Sequence, residues 1–213
     1  MRNIYWILIF ISSQSFSQNS EWRGYKLDSL AEFQLPSQNA NLFDSIDNGI
    51  KIYELSAKFN GINYVGSKSK VEQFILPSNK TELTELYNDA IFQIAKSFPN
   101  SIETKTDIVR NGYQGLKYIL LDENNIPLYS AELYLLEDNL FMFYCINDAK
   151  DGSVESDYFF KSILLVEKKG AEQITGDSSF LKMIKLFKIE IIVILGIIGL
   201  IVVLIIRNRK KTA

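Results

Sequence analysis

A chain of 213 residues, 47% apolar and 23% charged, holds one ordinary domain with accessory segments. That balance excludes wholesale disorder, a collagen-like repeat and a many-span membrane protein. The absence of histidine removes the commonest general base and the imidazole metal ligand, and a lone Cys145 excludes an internal disulfide and a cysteine-built zinc site.

The chain opens on Arg2 and an eight-residue apolar run, Ile4 to Ile11 (IYWILIFI), followed by small polar residues that end in Ser15-Phe16-Ser17. At about 1.5 Å per helical residue, such a run falls well short of the roughly 30 Å of a bilayer's hydrocarbon. A positive start, a short apolar core and a small-x-small site describe a secretory signal peptide over residues 1–17, with cleavage after Ser17. An uncleaved N-terminal anchor or a buried strand is the alternative.

Residues 18–166 read as an exported α/β domain, long enough to bury roughly 68–70% of its unfolded surface without disulfides. Leu30 to Leu35, closed by Pro36, has the pattern of a strand. Ile50 to Phe59 and Ile62 to Ser67 flank Asn60-Gly61, a strong hairpin signal. Val71 to Leu76 is expected to run extended into a helix. There Leu83, Leu86, Tyr87, Ala90, Ile91, Ile94, Ala95 and Phe98 recur with the 3.6-residue period. Asn79 or Ser78 supplies the cap, with Glu82 behind it, and Phe98-Pro99 supplies the stop. Phe92 points about 180° from the start of this stripe. Either the helix is covered on both sides, the preferred reading, or Phe92 is exposed and meets a partner.

Ile102 to Arg110, an Asn111-Gly112 turn, and Tyr113 to Asp122 follow. A turn at Glu123 to Pro127 leads into Leu128 to Glu137, and Asp138-Asn139 turns the chain into Leu140 to Ile146, completing an antiparallel meander. Leu140 to Ile146 (LFMFYCI) is apolar on both faces, so it requires cover on both. The covers available are the central helix and a second one read over Val154 to Val166, with Phe159, Ile163 and Val166 on one face and Glu155 and Asp157 in its first turn. The expected fold class is α+β: an antiparallel β-sheet flanked by helices (an α/β/α sandwich), plus one C-terminal transmembrane helix.

The order β-β-β-α-β-β-β-β-α comes with three local cues: Phe33-Gln-Leu-Pro36, Gly115 in the late meander, and Phe160-Lys-Ser162. Over residues 30–166 the chain thereby resembles the PsbP/Mog1-like α/β/α sandwich proteins, many of them exported and membrane-tethered. The resemblance implies a binding or assembly-accessory domain without a shared catalytic centre. None of the family's partner-binding residues matches a position here, and a C-terminal span is not a usual family feature.

Residues 167–188, with Gly170, Gly176 and Asp177-Ser-Ser, read as a juxtamembrane tether. Lys182, Lys185 and Lys188 within it mark either an amphipathic approach to the membrane or, preferably, the first turns of the anchor with snorkelling lysines. Ile191 to Ile206 is sixteen residues without a charge. Extended to Ile189, it makes a transmembrane helix over 189–206, roughly 27 Å long. The tail, 207–213, carries Arg207, Arg209, Lys210 and Lys211. Four cations against three do not decide orientation. The signal peptide does: the expected protein is single-pass in the membrane, its body extracytoplasmic (periplasmic or extracellular) and its C-terminus cytoplasmic. Residues 18–181 hold 15 basic and 24 acidic side chains, a balance of −9. Such a body does not neutralise phosphates, so nucleic acid is excluded as a partner.

The chemical motifs fail on their spacing. Gly61-x-x-x-x-Gly66-Ser67-Lys68 interposes a serine where a phosphate-binding loop needs lysine. Asn147 to Gly152 puts Ala149 at a calcium-ligand position, so Asp148, Asp151, Glu155 and Asp157 read as a solvated turn and helix start. Cys145 has no histidine to activate it and reads as a buried small residue. Gly152-Ser153-Val154-Glu155-Ser156 lacks the second glycine of a nucleophile elbow, and Ser153 reads as a helix cap. Asn79-Lys80-Thr81 is a glycosylation sequon only in a source with that machinery. No catalytic, cofactor-binding or metal-binding residue is therefore assigned, and no cofactor. The expectation is a non-enzymatic, membrane-anchored binding or assembly-accessory domain whose partners are the membrane and an unspecified protein. The alternatives are a carboxylate hydrolase without histidine and a structural subunit packing through Gly196 and Gly199.

Overall fold

The structure is a computed structural model. It describes residues 22–36, 40–47, 50–147, 154–167, 171–178 and Lys182. The elements are β1 (Trp22–Lys26), β2 (Ala31–Pro36), β3 (Asn41–Asp47), β4 (Ile50–Phe59), β5 (Ile62–Lys70), α1 (Lys80–Ser97), β6 (Ile102–Arg110), β7 (Tyr113–Leu121), β8 (Pro127–Leu136), β9 (Asn139–Asn147), α2 (Val154–Lys161) and β10 (Leu164–Leu165). Seven strands form an antiparallel sheet in the order β3-β4-β5-β9-β8-β7-β6, and three form a smaller one, β1-β2-β10.

Local turn chemistry sets the hairpins. Asn60 and Gly61 have φ of 50° and 78°, and Asn111 and Gly112 have 52° and 84°. Consecutive residues at positive φ match the twist of the flanking strands, and Asn-Gly reaches that region at least expense. The order then places β9 between β5 and β8, near the middle of the sheet, which is why its sequence is apolar on both faces. Phe141, Phe143 and Cys145 join the core under the small sheet, whereas Leu140 joins the core under α1, with Met142, Tyr144 and Ile146 packed against it.

The helix α1 is capped as its sequence predicts. Asn79 Oδ1 accepts from the Glu82 N–H at 3.0 Å, and Glu82 reaches back to accept from the Ser78 N–H at 3.0 Å. The Phe98 N–H closes the last turn on the Ala95 carbonyl. Leu83, Tyr87 and Ile91 are the buried stripe. Phe92 is 57% exposed, and Lys96 Nζ lies 4.2 Å from its ring. The preferred expectation of cover on both sides is therefore wrong: among the described residues α1 packs on one side only, and a lysine one turn on partly covers the outward ring.

The expected second helix is also corrected. It ends at Lys161, where the Ser162 hydroxyl donates to the Phe159 carbonyl at 2.7 Å and accepts from the Gln34 N–H at 3.0 Å. Leu164 and Leu165 then pair with Glu32 and Ala31, because β2 offers an open edge on which Leu165 is buried. The layer opposite α1 is thus a three-stranded sheet with a short helix, not a helical layer. The fold remains α+β, built on antiparallel sheets. Val71 to Leu76 is a turn, closed by the Ile75 N–H on the Glu72 carbonyl at 2.9 Å, not an extended lead. Among the described residues five strands, not three, precede α1.

The cues for the family resemblance turn out to be packing positions. Phe33 is fully buried over Gly66, where any Cβ would run into its ring, and meets Phe143 and Phe159 edge-on at 5.4 and 6.0 Å. Gly115 gives room to the Tyr134 ring in the same way.

The registers sort the turns into two ends. One end gathers the β3–β4, β6–β7 and β8–β9 turns and the end of β5, and the start of α1 joins them through the Pro77 carbonyl, which accepts from the Gly176 N–H at 3.0 Å. The opposite end gathers the β4–β5 and β7–β8 turns. Among the described residues no helix is long and apolar enough to cross a membrane. The expected signal peptide (1–17), span (189–206) and tail (207–213) lie outside the described residues, as do Gly196 and Gly199.

Candidate functional site

Three polar arrangements stand out, the first of them inside the core. On the inward face of β8, Glu132 is buried beside Tyr134. Its Oε2 accepts from the Tyr134 hydroxyl at 2.7 Å and from Arg110 Nη2 at 2.9 Å. Arg110 Nε also donates to the Tyr134 oxygen at 3.0 Å, and Nη1 donates to the Ile163 carbonyl at 3.0 Å. Burial alone would ease the proton off Arg110, but Tyr134 and Glu132 outweigh it and hold the guanidinium charged. Burial, then the Glu132 charge, pushes the Tyr134 hydroxyl upward. The three side chains commit their charge to one another and to the Ile163 carbonyl after α2. That is a clamp, not a catalytic centre.

The second is a hollow of about 370 Å³ at the opposite end from the start of α1. Lys117, Ile119, Ser130, Cys145 and Asn147 form its floor, with Ser156, Asp157 and Phe160 of α2 beside them. Cys145 is 3% exposed, and burial pushes its thiol well above the ordinary range, so it is neutral and a poor nucleophile. Asp157 is exposed. Asp148, Asp151 and Ser153 lie outside the described residues, as does the Glu155 side chain. Gly61 sits in a hairpin turn and Gly66 within β5, so no phosphate-binding loop forms between them. Among the described residues no group of three or more His, Cys, Asp or Glu is gathered to hold a metal.

The third is a strap. Residues 171–178, read as part of the tether, lie against the body. The Gln173 side chain accepts from the Gln114 N–H at 2.7 Å and donates to its carbonyl at 2.7 Å, in the manner of a strand neighbour. Nearby, the Tyr87 hydroxyl accepts from the Leu135 N–H and donates to the Gln114 carbonyl, both at 2.9 Å. The Glu137 N–H adds a bond to the Glu172 carbonyl at 2.6 Å. Beyond the strap, Lys182 Nζ donates to Glu82 Oε2 at 2.7 Å.

Composition alone concealed these groups. Nothing in the local sequence singles out Arg110 or Glu132. The available signal was Ser130, Glu132 and Tyr134 alternating on one face of a strand whose other face is wholly apolar.

The Glu82 pair yields a prediction. The hydrogen bond from Lys182, then those from Ser78, lower the Glu82 carboxyl from 4.5 to about 2. A carboxyl depressed by folding contributes stability above its unfolded pKa and loses that contribution as pH falls toward the folded one. Stability should therefore drop between about pH 4.5 and 2, and Glu82→Gln should flatten that part of the profile. In Glu82→Gln at neutral pH, the Lys182 amide, bonded to the Ser178 carbonyl at 2.9 Å, should exchange faster. Identical acid profiles for the two proteins would show that Lys182 is not held.

These features define a class: an α+β domain of two stacked antiparallel sheets and one covering helix, with its interior charges used for closure. No family model matches the chain, and no curated protein matches it. Among solved structures it is similar to the solution structure of cyanobacterial PsbP (CyanoP) from Synechocystis sp. PCC 6803, at a TM-score of 0.46 and 15% identity, over 68% of this chain and 93% of that one. At that identity the likeness extends to the fold alone.

Proposed function

We propose that the chain is a single-pass, membrane-anchored extracytoplasmic domain that binds a partner or assists an assembly and carries no chemistry of its own. The observation that supports it best is the commitment of the buried reactive groups. Among the described residues Glu132 is the one buried carboxylate, and Arg110 and Tyr134 occupy it. The pair of carboxylates that a hydrolase without histidine would need is not assembled there. The Cys145 thiol is neutral and buried. A hollow of about 370 Å³ with Lys117, Ser130 and Asn147 in its floor suits recognition of a polar group on a partner or small ligand. The anchor rests on the uncharged run Ile191 to Ile206, and export on the apolar run Ile4 to Ile11.

Topology is tested with a reporter that works only in the cytoplasm. Fused after Ala213 it should be active, and inserted at the exposed Asn124-Asn125 turn it should be silent. The reverse pattern overturns the reading. Recovery of the same partner from membranes by the wild type, and its loss when Lys117 and Asn147 are both changed to Ala, would locate the binding surface at the hollow.

A further inference from the structure

The body hands the chain over to the apolar run at one defined place. Lys182 is tied to Glu82 through its side chain and to Ser178 through its backbone, beside the first turn of α1. Six residues lie between Lys182 and Ile189, a reach over seven steps of at most about 25 Å even fully extended. On the reading of 189–206 as a span, on which this inference rests, that end of the body is held close to the bilayer.

The same end is unusually apolar outside. Ile46 and Ile50 flank the β3–β4 turn, Phe74 and Ile75 lie in the turn before α1, Val109 is the last residue but one of β6, and Ile174 lies on the strap. Their exposures are 74%, 38%, 63%, 46%, 75% and 40%. They come from four separate stretches of sequence, and the strand registers and the strap put them at the same end of the body. Singly exposed apolar residues are ordinary, but six spread over the end that carries Lys182 mark a contact surface. Among the described residues at this end, three lysines are paired with carboxylates. Lys51 pairs with Asp44 at 3.3 Å, Lys70 with Asp138 at 2.9 Å, and Lys182 with Glu82 at 2.7 Å. With a body balance of −9 over residues 18–181, anionic headgroups would repel it.

We infer that this end docks on the bilayer itself, with Phe74, Ile75 and Val109 seated at the boundary between headgroups and acyl chains of zwitterionic lipid. The domain is then not a freely swinging head. Strands β7 to β9 run from the docked end to the hollow, so the hollow is presented away from the membrane, some 20 Å out.

The test uses the full chain in zwitterionic nanodiscs, with a fluorophore at Phe74→Cys, Val109→Cys or Ile102→Cys. Cys145 is 3% exposed and stays unlabelled. Val109 and Ile102 are both exposed on the same edge strand, on opposite faces and about 24 Å apart along it. Quenching by spin-labelled lipid should be at least about twofold stronger at 74 and 109 than at 102, and should persist in about 1 M salt. Quenching at 109 should fall toward that at 102 when Phe74 and Ile75 are both changed to Ser. Equal quenching at all three positions, in a chain that resists alkaline carbonate, overturns the docking and leaves the anchor standing. Release by carbonate overturns both. Shielding of 74 and 109 from lipid and water quenchers alike means that protein covers this face, and loss of contact in salt means that charge holds it; either result overturns the proposal.

Discussion

Replacing Arg110 by Ala is expected to destabilise the body by about 3–5 kcal/mol, far more than an exposed arginine would. The reason is the partner left behind. Glu132 is 5% exposed, and Arg110 is the cation that neutralises it. Without Arg110 the carboxylate keeps only the Tyr134 hydroxyl, and the Ile163 carbonyl loses its donor. That carbonyl lies just before β10, so the small sheet is loosened at its closing strand. A double change, Arg110→Met with Glu132→Leu, should recover most of the loss, because a well-packed apolar pair in place of a buried ion pair is often neutral. Urea unfolding of the full chain in detergent, followed by the fluorescence of Trp22, reads the effect. Trp22 is suited to this because its ring lies edge-on to Tyr64 and Tyr158 at 5.3 and 4.9 Å. A loss below about 1 kcal/mol for Arg110→Ala, or a double variant as unstable as the single, would show that the clamp is solvated.

What could be read in the sequence was what is decided locally. The ends of β4 and β6 follow from the Asn-Gly turns beside them, and the span of α1 from Asn79 at its start and Phe98-Pro99 at its stop. The two-faced pattern of β9 correctly required cover on both sides. What could not be read depends on distant partners. Leu164 and Leu165 look helical until β2 supplies an edge for them. β1 is short, and only its two aromatic residues are partly buried, so no alternation announces it. β3 lies at the sheet's edge with Leu42, Phe43 and Ile46 exposed, so burial imposes no period on it. Arg110 and Glu132 are 22 residues apart, and nothing local shows that both turn inward. Phe92 illustrates the limit from the other side: its angle on the helix was legible, but whether another layer covered it was not.

Phe143→Ala and Ile91→Ala should each lower stability, by about 3–5 and about 2–5 kcal/mol respectively, within a single cooperative transition. The two residues sit in different cores. Phe143 is fully buried under the small sheet against Phe33, and Ile91 is 1% exposed beneath α1. Were the cores independent, each variant would soften its own side and split the unfolding curve. β9 opposes that outcome, because Phe143 and Leu140 face opposite cores from one strand, and neither core can open without disturbing the register β9 keeps with β5 and β8. Phe92→Ala is the control on the same helix: its ring is exposed, so the change should stay within about 0.5 kcal/mol. Near-silence at both 91 and 143 would contradict the two-core arrangement. A biphasic curve for either variant would show that α1 and the small sheet unfold as separate units.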